Sequence, residues 1–175
     1  DWMIDIYAIY TRDNRNSNKT KIQSVPAGSE SGIKIISPTT KGEIGNATSM
    51  DFSVQNGTPY YDQFLQMRTY IQVDYDGETI FYGRVITINH DFMGNQKIHC
   101  EGALAFLNDS YFPGEKKNER RKLTSFQRIT EVLENHNNQV GDDLKKIYVG
   151  EVPGNYSSSI ATEQRIKNDE REFGT

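Results

Sequence analysis

The chain has 175 residues, room for one domain or two small ones, which excludes a solenoid, a large barrel enzyme or a multi-domain machine within this stretch. Only 35% of it is apolar, yet 10 Tyr, 8 Phe and 1 Trp argue against disorder. A net charge of −4 lacks the basic excess of a nucleic-acid binder, so no nucleic-acid partner is expected, and no apolar run approaches the ~18 residues of a membrane span.

Ile and Val outnumber Leu and Ala by about two to one, and β-branched and aromatic side chains suit a pleated, half-buried surface better than a helix. A β-rich domain follows. The single Cys100 excludes an intrachain disulfide and a multi-cysteine zinc site. The first residues show no basic segment leading into an apolar one, which predicts a soluble chain made in a cytosol without secretion. Glycosylation-type sequons such as those at Asn18, Asn46, Asn108 and Asn155 are then a by-product of 14 Asn.

Asp1–Tyr10 places Ile4, Ile6 and Ala8 on one face and Tyr7 and Ile9 on the other, a strand with both faces partly covered. Residues 11–32 are polar and read as a long arm with a short strand at Lys21–Val25, either a contact element or a flexible loop. From Lys41 the chain runs into Met50, Phe52 and Val54 alternating with Ser49, Asp51 and Ser53, a half-buried strand. A turn at Asn56–Pro59 and one helical turn at Tyr60–Leu65 follow. Arg68–Tyr75 alternates with Ile71, Val73 and Tyr75 on one side, Asp76-Gly77 makes a two-residue hairpin, and Ile80, Tyr82, Ile86 and Ile88 continue the alternation. A reversal at Gly94-Asn95 leads to Lys97–Phe106, with Ile98, Cys100, Gly102 and Leu104 on one face. Residues 68–106 thus form a three-stranded antiparallel meander in which Gly83 and Gly102 mark bulges or bends that curve the sheet. Thr124-Ser125-Phe126-Gln127 fits a capping box, and Phe126, Ile129, Val132, Leu133 and His136 recur at helical spacing over about 125–138. Lys146–Val152 reads as a short strand, and 153–175 is polar.

The candidates for chemistry are few. The basic run Lys116, Lys117, Arg120, Arg121 and Lys122 reads as a solvated loop, with an anion site as the alternative. Cys100 with His136 or His90 could form a nucleophile pair, but the apolar-facing position of Cys100 favours a small buried hydrophobe. His99, Glu101, His90 and Asp91 could share a metal, although ligands of this kind meet at strand ends by chance. Asp74, Asp76 and Glu78 sit at a hairpin tip, where nothing buries a general acid to raise its pKa. No catalytic, cofactor-binding or metal-binding set is therefore expected.

The order of motifs in residues 42–150 is more specific. An Asp-Gly hairpin, Phe81-Tyr82-Gly83-Arg84-Val85, Cys100-Glu101-Gly102, Leu104-Ala105-Phe106-Leu107-Asn108-Asp109 and then His136-Asn137 resembles the N-terminal region of siphophage tail-tip proteins. These are the phage minor structural proteins, prophage endopeptidase tails and tail-associated lysins related to the T-even baseplate hub protein. The resemblance implies a mainly β fold with one or two helices (α+β), a curved antiparallel, β-barrel-like hub domain over 1–110. The helix-containing segment 111–175 would be the start of a second hub subdomain. It further implies a virion structural protein at the tail tip, a homotrimer that closes the tail tube beside partners such as the distal tail protein. Any peptidoglycan hydrolase activity would belong to a C-terminal extension outside this chain, so the chain itself is not expected to be an enzyme and needs no cofactor. Phe81, Tyr82, Gly83, Arg84, Glu101, Gly102 and Phe106 are, by that resemblance, structural signature positions, with a buried ion pair expected for Arg84. Two rival readings are a peptidoglycan hydrolase acting through the Asp/Glu or Cys/His groups, and a carbohydrate-binding module stacking sugars on exposed Tyr and Trp2.

Overall fold

The computed structural model describes residues 2–26, 35–43, 46–113 and 124–149. It divides into two compact units, Asp1–Ala105 and Phe106–Thr175. Among the described residues of the first unit, seven strands form one antiparallel sheet: β1 (Met3–Ile9), β2 (Lys19–Pro26), β3 (Ile35–Lys41), β4 (Ser49–Val54), β5 (Tyr70–Tyr75), β6 (Glu78–His90) and β7 (Gln96–Gly102). Their order is β2-β1-β5-β6-β7-β4-β3, and the sheet curls into a half-barrel. The expected mainly β fold with a curved sheet is what the chain adopts.

Alternation sets the core. Ile6 and Ala8 of β1, Met50, Phe52 and Val54 of β4, Ile71 and Val73 of β5, and Ile98 and Cys100 of β7 form one buried cluster with Ile22, Ile35, Phe64, Phe81 and Val85. Each Ile, Val, Met or Phe side chain among them contributes roughly 1.5–3 kcal/mol when removed from water, before chain entropy is charged against it. The curl brings the two edge strands together: the buried Gln23 of β2 accepts a hydrogen bond from the backbone N–H of Ile35 in β3 at 2.8 Å. A side chain thus spans the gap between the edges.

The Asp76-Gly77 hairpin forms as the dipeptide predicts, with φ of 49° and 86° at its two central residues. Beyond it the alternation expected for β6 is out of phase. The register of β5 with β6 slips between Val73 and Asp74, so Ile80 is an extra residue and is 58% exposed, while Phe81 takes the core position. A second slip between Val85 and Thr87 isolates Ile86 and returns Ile88 to the cluster. One inserted residue flips every later side chain to the other face, which is why Ile80 and Tyr82 do not share the core side as read.

The bulges therefore lie at Ile80 and Ile86, and Gly83 and Gly102 serve another purpose. They face each other directly in the β6–β7 register. A Cβ on Gly83 would run into the carbonyl oxygen of Glu101 and stand 2.7 Å from the Phe81 ring. One on Gly102 would collide with the Thr48 hydroxyl, beside the 2.6 Å hydrogen bond from Gly102 N–H to the Thr48 carbonyl.

Other differences are local. β7 ends at Gly102, and a 3₁₀ helix (Ala103–Asp109) takes over, leaving Leu104 58% exposed instead of continuing the apolar face. Residues 60–65 make consecutive tight turns, with positive φ at Asp62, and no helix. In the polar arm the expected short strand is the longer β2, which pairs along β1, and residues 27–32 of the arm lie outside the described residues; β3, beyond the arm, was not expected from the sequence.

In the second unit α1 (Ser125–Gln139) starts at the expected capping box, Thr124 and Gln127 each bonding the other's backbone. Its last turns are held by side chains that reach backbone. Asn137 both accepts from the Ile147 N–H at 2.9 Å and donates to the Ile147 carbonyl at 2.8 Å. With both backbone groups occupied, 146–149 runs irregularly and not as the expected strand, whose remainder to Val152 lies outside the described residues. His136 is fully buried, donates from Nε2 to the Lys145 carbonyl at 3.0 Å and meets the Ser110 hydroxyl at 2.9 Å through Nδ1.

Two substitutions test this account. Gly83→Ala should lower the stability of the sheet by about 3 kcal/mol, read as a reduced denaturant midpoint, because backbone and a core ring occupy the space. His136→Leu strips the Lys145 carbonyl of its buried donor and should cost about 2 kcal/mol, seen as an earlier melt of the helical circular dichroism signal while the sheet signal holds.

Candidate functional site

Of the residues expected to be structural signature positions, Phe81, Tyr82, Gly83 and Arg84 lie on β6 and Glu101 and Gly102 on β7, while Phe106 lies in the 3₁₀ helix. Phe81 is buried in the core and Tyr82, on the opposite face, stacks on Tyr70 with rings 6.0 Å apart. Arg84 is 4% exposed and sits opposite Glu101 in the β6–β7 register, one position beyond the Gly83–Gly102 pair. Phe106, buried, opens the second unit. Residues almost twenty positions apart in sequence are thus paired across two strands, and Thr48 at the entry to β4 packs onto them.

The catalytic candidates are dispersed. Cys100 is wholly buried in the core, and that burial pushes its thiol far above the ordinary range. His90 packs edge-on against Tyr61, and both nitrogens of His136 are engaged as described. Asp74 accepts from Gln72 and Thr79, each at 2.8 Å, while Asp76 forms the hairpin turn and Glu78 is exposed. Among the described residues no three His, Cys, Asp or Glu side chains gather as metal ligands. The basic run 116–122 lies outside the described residues. Trp2 stacks on Tyr75 at 5.5 Å and is 61% exposed.

The sheet face opposite the core carries a feature that sequence reading missed. The β4–β7 register sets Asp51 beside His99 and Ser53 beside Lys97, and the β6–β7 register adds Asn89 next to Lys97. With Ser37 from the edge strand β3, these line an open pocket of about 200 Å3 floored by Phe52 and Ile98. His99 Nδ1 donates to Asp51 Oδ1 at 2.7 Å. That bond fixes the ring and leaves Nε2 turned away from the carboxylate. Ser37 has φ of 48° and lies within the β3 bulge between Ile36 and Thr39. Alternation along 49–54 and 97–101 assigns these polar residues to one face, but the pairing of strands more than 40 residues apart is not written in either segment.

The β6–β7 hairpin tip is a second exposed element. Asp91 Oδ1 accepts from the Met93 and Asn95 backbone N–H groups and Oδ2 from the Asn95 side chain. Tyr61 adds a hydrogen bond to the Gly94 carbonyl at 2.9 Å. These ties order a turn whose outer residues, Phe92 and Met93, are left in solvent.

No family model matches the chain, and no curated protein matches it. Solved structures of similar fold include two tail proteins. One is a tail protein from Neisseria meningitidis MC58 (13% identity, 65% of this chain and 28% of that one, TM-score 0.37). The other is the 43 kDa tail protein of prophage MuSo2 from Shewanella oneidensis (12% identity, 95% of this chain and 47% of that one, TM-score 0.46). The chain spans less than half the length of either.

The hydrogen bonds from Asn95 and the turn backbone hold the Asp91 carboxyl below the usual carboxylate range. A depressed folded-state pKa adds stability above the unfolded value of about 3.9 and loses it as pH falls through the folded one. Amide exchange at Met93 and Asn95 should therefore quicken selectively in that acid window, and Asp91→Ala should show the same fast exchange at neutral pH.

Proposed function

We propose that the chain is a structural component of a phage or prophage tail, a segment of the tail-tip hub. It works as a homotrimer around the tube axis and supports neighbouring proteins such as the distal tail protein. The observation that carries this reading is the ordered set of tail-tip motifs in residues 42–150, whose members occupy the positions a curled sheet depends on. Gly83 and Gly102 allow the close approach of β6, β7 and Thr48. Arg84 and Glu101 oppose each other beside them. His136 and Asn137 clamp the end of α1. A hub protomer needs such a frame together with polar faces and ordered tips for contact, and Tyr and Phe suit surfaces of that kind. The helix-containing segment 111–175 serves as the start of a second hub subdomain.

Cryo-electron microscopy of purified tails tests the assignment. Three copies of the seven-stranded sheet should surround the tube axis at the tip, and the isolated chain should leave no clearing on cell-wall zymograms. Tails that lack the protein, or a cleared zymogram that survives purification of the chain, would overturn it.

A further inference from the structure

We propose that the pocket over β4 and β7 binds one neutral sugar residue of a glycan. The inference is independent of the tail assignment, since it rests on the lining alone. His99, Asp51, Lys97, Asn89, Ser53 and Ser37 surround a small open hollow with Phe52 and Ile98 beneath. Asp51 spends Oδ1 on His99 and keeps Oδ2. His99 keeps Nε2, and among the described residues the side chains of Asn89, Lys97 and Ser53 have no hydrogen-bond partner. The lining thus mixes a carboxylate acceptor, a charged donor, an imidazole nitrogen, an amide and hydroxyls. Each hydroxyl of a sugar both donates and accepts, so a polyhydroxylated ligand uses both kinds of group at once.

A free phosphate or carboxylate fits less well. It would find Lys97 and the hydroxyls, but would also face the half-exposed Asp51 carboxylate. The β3 bulge is a further sign of a shaped site. It sets Ser37, at a φ rarely adopted outside glycine, on the rim of the hollow, and bulges of this kind re-aim side chains beside binding sites. The exposed Trp2–Tyr75 stack is a separate surface and contributes none of these groups.

The test uses the whole chain on an array of neutral and anionic glycans. It is paired with NMR of the His99 ring during titration with glucose, galactose, N-acetylglucosamine and, separately, inorganic phosphate. The expected result is retention of at least one neutral glycan, a shift of the His99 ring with the matching monosaccharide, and binding weakened about tenfold or more in Asp51→Asn and in Asn89→Ala. Both residues are at the surface, so unchanged melting curves should accompany the loss. Trp2→Ala should leave binding intact. The proposal is overturned if no glycan is retained, if phosphate alone moves the His99 ring, if the pocket variants bind as before, or if Trp2→Ala abolishes binding.

Discussion

The sheet is organised around the missing side chains of Gly83 and Gly102. Where these residues face each other, the carbonyl of Glu101, the ring of Phe81 and the hydroxyl of Thr48 occupy the volume a Cβ would need. The strand order β5-β6-β7-β4 runs through this point, so the approach of three strands is limited by two residues without bulk. Interiors close-packed to this degree cannot absorb a methyl group without moving backbone. The same register that joins the glycines sets Arg84 opposite Glu101 and, two positions on, lays His99 beside Asp51 from the neighbouring strand.

The two bulges of β6 extend that constraint. A regular strand of this length would keep Ile80, Tyr82, Ile86 and Ile88 in phase and present them to one side. With Ile80 and Ile86 set outside the ladder, the strand instead alternates through Phe81, Gly83 and Val85 and then corrects itself at Ile88. Bulged strands twist more strongly, which agrees with a sheet whose edges meet through Gln23 and Ile35. The low apolar content has its place in this design. One face of the sheet is a dense core, and the other holds ion pairs and hydrogen bonds such as Lys21–Asp5, His99–Asp51 and Gln72–Asp74.

The second unit uses a different device. Its helix fully buries a histidine and half-buries Val132 and Leu133, and its last turns are tied down by Asn135, Asn137 and Gln139 reaching backbone groups of Tyr111 and Ile147. His136, the fully buried residue of the helix, stabilises it only when its partners are present. Phe126 and Ile129, which gave the helical periodicity its clarity, stay exposed among the described residues.

The sequence by itself determined the elements whose cause is local. Asp76-Gly77 forces its turn because both positions need positive φ, Thr124 and Gln127 cap the helix, and β1, β4, β5 and β7 show their buried faces by alternation. It also held the motif order behind the tail-tip resemblance. Tertiary structure alone decided the phase of β6, the role of the two glycines and the existence of β3, since each depends on which backbone lies alongside. It alone assembled the pocket as well. Asp51 and His99 are ordinary polar alternates in their own strands, and they meet because β4 returns to pair with β7, a long-range pairing that no local pattern encodes.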